Sequence, residues 1–187
     1  MNKNKTNTFI KNIALCAMFS ALVYIPTRYI QIPMGTGQYL HFGDAMIYVA
    51  ACVLPFPFGP LAGTIGGSLA DMLSGYGYWA PFTAIIKFLI ALPLSSKCDK
   101  ILTKRNMLMP IVSGIISSLG YYLSTVLIMY LGLGAYDVFS GSVKSLFMAA
   151  AIDGLGFIQS IGSILFFYII GFALDKANLK NFIKRTI

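Results

Sequence analysis

The chain has 187 residues; 57 % are hydrophobic, only 11 % are charged, and the mean hydropathy is +0.76. A soluble domain carries about 45–50 % apolar and about 25 % charged residues, so this composition excludes a soluble enzyme, a disordered chain and a disulfide scaffold, and reads as a polytopic membrane protein. Fourteen Lys and Arg face six acids, all of them Asp, for a net charge of +8; in a membrane protein it is the loop placement of such charges that carries meaning.

Six apolar stretches follow one another, at about 12–30, 40–54, 59–73, 80–94, 108–133 and 146–174. Each is predicted to be a transmembrane helix, giving an all-α fold of one integral membrane domain over 1–187. Six spans of about 20 residues would use roughly 120 residues, which leaves only short loops within these 187 and no separate ATP-binding domain. The first stretch follows a polar start with Lys3, Lys5 and Lys11 and contains Pro26 and Arg28. Leu15 before Cys16 is too large for a lipoprotein site and the apolar run upstream is too short, so this helix is expected to be retained. Pro55 and Pro57 end the second stretch, and Ser74-Gly75-Tyr76-Gly77 forms a turn cluster after the third. The second and third stretches, about 15 residues each against roughly 20 needed, fit either short tilted spans or a re-entrant hairpin. Full spans are preferred, because Phe56 and Phe58 extend the apolar reach.

The positive-inside rule sets the orientation. With the N-terminus in the cytoplasm, eleven of the fourteen basic residues fall inside: three before the first span, four between Lys97 and Arg105, and four from Lys176 onward. Arg28 and Lys144 fall outside and Lys87 lies within a span. Both termini are therefore expected in the cytoplasm of a multi-pass protein of the cell membrane. Cys16, Cys52 and Cys98 have no metal or redox spacing and read as free thiols.

Small residues recur at helical spacing. Gly59, Gly63 and Gly67 make one ridge and Ala62, Gly66 and Ala70 a second; Ser113, Ser117, Gly120 and Ser124 line one side of the fifth span. Such ridges let helices approach closely in lipid, and internal packing accounts for most of them. The face formed by Ala14, Ala17 and Ala21 on the first span is the best candidate for docking a separate membrane subunit.

Charges at bilayer depth need a partner, water or a purpose. Asp44 opens the second span and Asp71 closes the third, while Lys87 and Asp153 each lie about 10 Å into their spans from the outer side. His41, Tyr39, Tyr76, Tyr78, Trp79, Tyr121, Tyr122 and Gln159 gather on the same side, and the inner half has no comparable set. This asymmetry predicts a polar, aromatic-lined cavity open to the outside, suited to a small, partly aromatic, hydrogen-bonding solute. Structural roles compete with it. The aromatics also suit an interfacial belt, Lys87 could bridge to Asp71 or Asp153, His41 could cap, Asp44 could serve the positive end of its helix, and Gln159 could join two helices. There is no GxSxG, no HExxH and no GxGD context, and one His without any Glu gives no metal cluster, so an enzyme is not expected. Polarity that stops halfway across fits binding better than conduction.

The residues from Gln38 to Leu89 resemble the substrate-binding S component of an energy-coupling factor (ECF) transporter, in the branch of riboflavin, hydroxymethylpyrimidine and pyridoxine S components. The resemblance is carried by Leu40-His41-Phe42-Gly43-Asp44-Ala45, by Phe58-Gly59-Pro60-Leu61-Ala62-Gly63, by the run from Ile65 to Tyr76 and by Trp79-Ala80-Pro81-Phe82-Thr83 leading to Lys87. It implies capture of a vitamin or precursor at the outer face and docking on a membrane T component that carries two cytoplasmic ATPases. The chain would then bind no cofactor of its own, ATP being used by its partners. It also implies an AxxxA docking motif, met here by Ala17 and Ala21 with Ala14 on the same face, and transport by toppling of the whole subunit. The family pocket draws on the last three spans and outer loops, which makes Trp79, Thr83, Lys87, Tyr122, Asp153 and Gln159 the expected substrate-binding residues. In that set Trp79 stacks on a flat ring, Lys87 meets an acidic or phenolate-like group or holds Asp153, and Asp153 and Gln159 read ring nitrogens and hydroxyls. His41, Asp44 and Asp71 are expected at the outer loops or as caps. A stand-alone facilitator or secondary transporter is the alternative; a purely structural membrane protein is a third reading.

Overall fold

A computed structural model describes residues 3–33, 39–131 and 143–186. Among them are seven helices: α1 (Lys3–Tyr29), α2 (Gly43–Val53), α3 (Phe58–Leu73), α4 (Ala80–Ala91), α5 (Lys104–Tyr130), α6 (Val143–Lys176) and α7 (Leu179–Thr186). Two three-residue strands, β1 (Gln31–Pro33) and β2 (Tyr39–His41), pair antiparallel between α1 and α2, with Ile32 opposite Leu40. The six expected stretches each became a helix. The hairpin and α7 are additions that hydropathy does not signal, one too short and the other too basic.

Among the described residues, three helices are long and apolar enough to cross a membrane, over Lys5–Tyr29, Lys104–Ile128 and Gly156–Lys176. Most of each stays uncovered. Ile13, Leu22 and Ile25 on α1, Ile111, Ile115 and Leu119 on α5, and Ile161, Leu165 and Ile169 on α6 are all exposed. In water such surfaces would associate; in lipid they are the solvent-facing side.

The short helices are a different matter. At 1.5 Å per residue, the 11 residues of α2 reach only about 16 Å, well short of a hydrocarbon core of about 30 Å. Their burial explains why this is tolerable. Every residue of α2 except Met46 is buried, as expected of a helix that is apolar all round. It packs against α1, α3, α4 and α6, while α1, α3, α4, α5 and α6 follow one another around it. A helix enclosed by protein does not have to match the bilayer.

Glycine makes that enclosure possible. A Cβ on Gly59 would come within 2.8 Å of the Ala51 Cα, one on Gly63 within 2.9 Å of Ile47, and one on Gly66 would run into the Ser20 carbonyl oxygen and Val23. The two ridges of α3 thus seat it on α2, α1 and, through Gly67, α4. The α5 ridge does the same for α4: a Cβ on Gly120 would meet Ile86 at 2.8 Å, and the Ser113 hydroxyl donates to the Ile90 carbonyl at 2.7 Å. Internal packing is therefore what these ridges do.

Two polar anchors hold the loop between α4 and α5. Asp175 accepts the Ile101 and Leu102 amides through its two oxygens, at 2.7 and 2.9 Å. Asn106, fully buried, donates to the Ser95 and Ile101 carbonyls and accepts the Ser95 amide.

Candidate functional site

The site begins where α3 turns into α4. Gly75 at φ +84° ends α3, with the Tyr76 amide returning to the Asp71 carbonyl at 3.0 Å. This is a Schellman-type close, which needs a left-handed residue at that position. The next turn delivers Trp79 to the start of α4, with Pro81 in its first turn. Trp79, Thr83 and Lys87 then recur every four residues and share one helix face. Thr83 and Lys87 on this face are buried and Trp79 is half-buried.

Lys87 is 2 % exposed, and its Nζ lies 2.5 Å from Oδ1 of Asp44, whose side chain is equally buried. The sequence offered Asp71 and Asp153 as partners; the structure selects Asp44. The reason is positional. Asp44 lies in the first turn of α2, the central helix, so its carboxylate opens toward α4 and also sits at the positive end of the α2 dipole. Gly67 lets the lysine stem lie against α3, since a Cβ there would be 2.9 Å from the Lys87 Cγ. Asp71 is half-buried on α3 near Thr83 and within the field of Lys87. Asp153 falls on α6, but its side chain lies outside the described residues.

Tyr121 closes the pair from the α5 side. Its ring centroid is 5.1 Å from the Lys87 Nζ, a cation–π distance. Its hydroxyl is 3.5 Å from the Thr83 hydroxyl, and its ring is 6.0 Å from that of Trp79. Tyr78 and Phe82 continue the aromatic wall around Trp79, each at 6.4 Å. The expected residue here was Tyr122, which is half-buried one position on and therefore turned about 100° around α5. Sequence reasoning named Tyr121 among the outer aromatics but left it out of the binding set, although a signal was there: it lies four residues beyond Ser117 and eight beyond Ser113, on the stripe that meets α4 at Ile90 and Ile86.

A second polar group lies on the other side of Asp44. Gln159 clamps the backbone of His41 in β2, accepting its amide at 2.8 Å and donating to its carbonyl at 2.6 Å. The same Gln159 amide reaches the Ser163 hydroxyl at 3.2 Å. The His41 Nδ1 accepts the Gly43 amide at 3.1 Å, so the neutral ring carries its proton on Nε2. His41 is thus a cap at the start of α2, the structural role weighed for it from the sequence, while Gln159 ties the hairpin to α6 where a link between two helices was weighed. Both residues also lie in the field of the Asp44 carboxylate.

One group is left over. The Tyr48 hydroxyl, fully buried one turn below Asp44, finds no hydrogen-bond partner among the described residues. A buried hydroxyl without a partner costs about 1–3 kcal/mol, so its place beside the ion pair marks unfilled hydrogen-bonding capacity at the heart of the site.

On the opposite face of the bundle, a cavity of about 530 Å3 opens between α1 and α3. Ala17, Ala21, Leu61, Ile65 and Leu69 line it with almost wholly apolar surface. Ala14, Ala17 and Ala21 are all exposed.

A lipid-facing helical bundle enclosing a buried ion pair, an aromatic wall and an orphan hydroxyl has the makings of a solute-binding membrane protein. The comparisons name the class more closely. Residues 7–180 match the family described as the ECF-type riboflavin transporter, S component, and the chain belongs to that family. It is accordingly a substrate-binding subunit of a membrane transporter and not an enzyme. An uncharacterised protein of Pyrococcus woesei is 34 % identical over 149 residues, which span 76 % of this chain and 99 % of that protein.

Proposed function

We propose that this chain is the vitamin-capturing subunit of an ECF-type uptake system, binding a flat, hydrogen-bonding ligand of the riboflavin, hydroxymethylpyrimidine or pyridoxine class at the Asp44 end of the bundle. The observation that carries it is the convergence of Trp79, Thr83, Lys87 and Tyr121 with Gln159 and the orphan Tyr48 hydroxyl around one buried centre. In this reading the Trp79–Tyr121 wall stacks on the ring, and Thr83, Gln159 and Tyr48 supply hydrogen bonds. The Lys87–Asp44 pair forms the polar floor, and Asp153 and Tyr122 complete the site from α6 and α5. The hairpin held by Gln159 covers it.

The chain crosses the membrane six times, with both termini in the cytoplasm and the site facing out. The exposed alanines of α1 and the apolar cavity beside them dock the membrane T component, which carries two ATPases. Small residues let a partner helix come close, and packing is what holds helices together in lipid.

Titration of the purified protein with riboflavin, hydroxymethylpyrimidine, pyridoxine and thiamine, followed by Trp79 fluorescence, tests the ligand class. Saturable quenching at nanomolar concentration is expected for one of them. With folded protein, no response to any of them and no co-purified small molecule in native mass spectrometry would refute the assignment. Ala17→Leu/Ala21→Leu tests the docking: it should leave ligand binding intact and abolish uptake in cells that hold the partner subunits.

A further inference from the structure

We infer that Asp44 sets the charge selectivity of the site: by neutralising Lys87 it makes the floor accept an uncharged polar ring and reject the phosphorylated form of the same compound. The inference rests on the binding site proposed above.

A lysine in a ligand site ordinarily attracts anions. This one is already matched. Its Nζ lies 2.5 Å from Asp44, with the Tyr121 ring on its far side and the α3 backbone at Gly67 against its stem. The other positive feature at this depth is the N-terminus of α2, and Asp44 sits in its first turn as well. One carboxylate therefore occupies both positive features of the floor. Among the described residues, the groups facing it from the remaining elements add no cation: Tyr48 on α2, Asp71 on α3, Tyr121 on α5 and Gln159 on α6, with the neutral His41 ring in the hairpin. Arg28, at the end of α1, is only half-buried and is turned onto the Tyr29 ring at 5.6 Å.

A phosphate ester brings a charge of about −1.5 to −2. In a buried site with no unmatched cation among the described residues, that charge has to be desolvated without compensation. A hydroxyl in its place needs only hydrogen bonds, which Thr83, Gln159 and the orphan Tyr48 hydroxyl can supply.

The test is equilibrium dialysis of the full chain in detergent against riboflavin and riboflavin 5′-phosphate, and against pyridoxine and pyridoxine 5′-phosphate. The wild-type protein should hold the neutral member of the pair it recognises at least about thirtyfold more tightly, or roughly 2 kcal/mol. Asp44→Asn uncovers Lys87, so the preference should shrink by at least about tenfold. Asp44→Asn/Lys87→Met removes both charges, and there the neutral form should again be favoured by about the wild-type factor. This second variant, together with the wild-type measurement, keeps the inference testable if Asp44→Asn does not fold. Equal binding of both members by the wild-type protein, or an unchanged ratio in folded Asp44→Asn, would overturn the role of Asp44 while leaving the vitamin site standing. Binding of neither member of either pair would overturn the site itself, and the inference with it.

Discussion

Lys87→Met is the most direct probe of the buried centre. Methionine keeps most of the stem that lies along Gly67 and removes only the charge. It leaves the Asp44 carboxylate, 1 % exposed, without its counter-ion. Both partners are buried to 2 % side-chain exposure, so neither water nor salt screens the loss as at a surface pair. Breaking a buried pair by removing one partner typically costs about 3–5 kcal/mol. The upper half of that range applies to a carboxylate with no other support; the first-turn position of Asp44 on α2 supplies some in both proteins, so a loss of about 3 kcal/mol is expected. Asp44→Asn/Lys87→Met should recover most of it, to within about 1–2 kcal/mol of wild type, because a neutral pair leaves no charge stranded. The assay is reversible unfolding in mixed micelles of dodecyl maltoside and dodecyl sulfate, followed by circular dichroism, with Lys87→Met, Asp44→Asn and the double variant treated as a double-mutant cycle. A cost under about 1 kcal/mol for Lys87→Met alone, or additive losses in the double variant, would refute an energetically coupled pair at the core.

Three further outcomes follow from other parts of the molecule. Gly66→Ala should destabilise by about 1–3 kcal/mol in the same unfolding assay, because the new methyl meets the Ser20 carbonyl oxygen on α1; Gly77→Ala, where nothing lies within 4 Å of the new Cβ, is the control and should be near neutral. Gln159→Glu keeps an acceptor for the His41 amide but loses the donor to its carbonyl and to the Ser163 hydroxyl; amide exchange in the hairpin should rise by about tenfold, and unchanged exchange would mean that something else holds the hairpin. Cys98 is exposed while Cys16 and Cys52 are buried. A membrane-impermeant maleimide should therefore label one thiol per chain in inside-out vesicles and none in right-side-out vesicles, and the reverse pattern would invert the proposed orientation.

The helices were legible because hydropathy and turn residues are local signals. The stretch 59–73 became Phe58–Leu73 and 80–94 became Ala80–Ala91, bounded by the Ser74–Gly77 cluster and by Pro81 and Pro93. Where the expectation drifted, the cause was polar residues in helical turns. α1 begins at Lys3 rather than near 12, and α5 begins at Lys104, because helices run past the apolar boundary into polar turns. The eight residues of α7 carry Lys180, Lys184 and Arg185 and read as a tail by composition. Yet Leu179 and Ile183 pack that helix against the core. The β1–β2 hairpin left no periodic trace, since three residues per strand are too few to show alternation.

The site was legible in depth but not in azimuth. Placing Lys87, Asp44, Trp79 and Gln159 toward one end of the bundle needed only counting along spans. Pairing them needed to know which helix lies at the centre, and that is a tertiary fact: α2 is short, almost wholly buried and touched by four other helices. Once α2 is central, Asp44 is the acid that α4 must face, 43 residues away in sequence. Asp71 is left at the rim, half-buried. The choice between Tyr121 and Tyr122 shows where sequence could have gone further. Ser113 and Gly120, on the small-residue stripe with Ser117 and Ser124, meet Ile90 and Ile86 of α4 directly. Any residue at the same phase must face α4 too, and position 121 is eight beyond 113 and four beyond 117. A large aromatic can stand on that stripe only where the helices begin to part. Tyr121 does so beside Trp79, and with ring centroids 6.0 Å apart the two make one aromatic wall rather than the two sides of a slot.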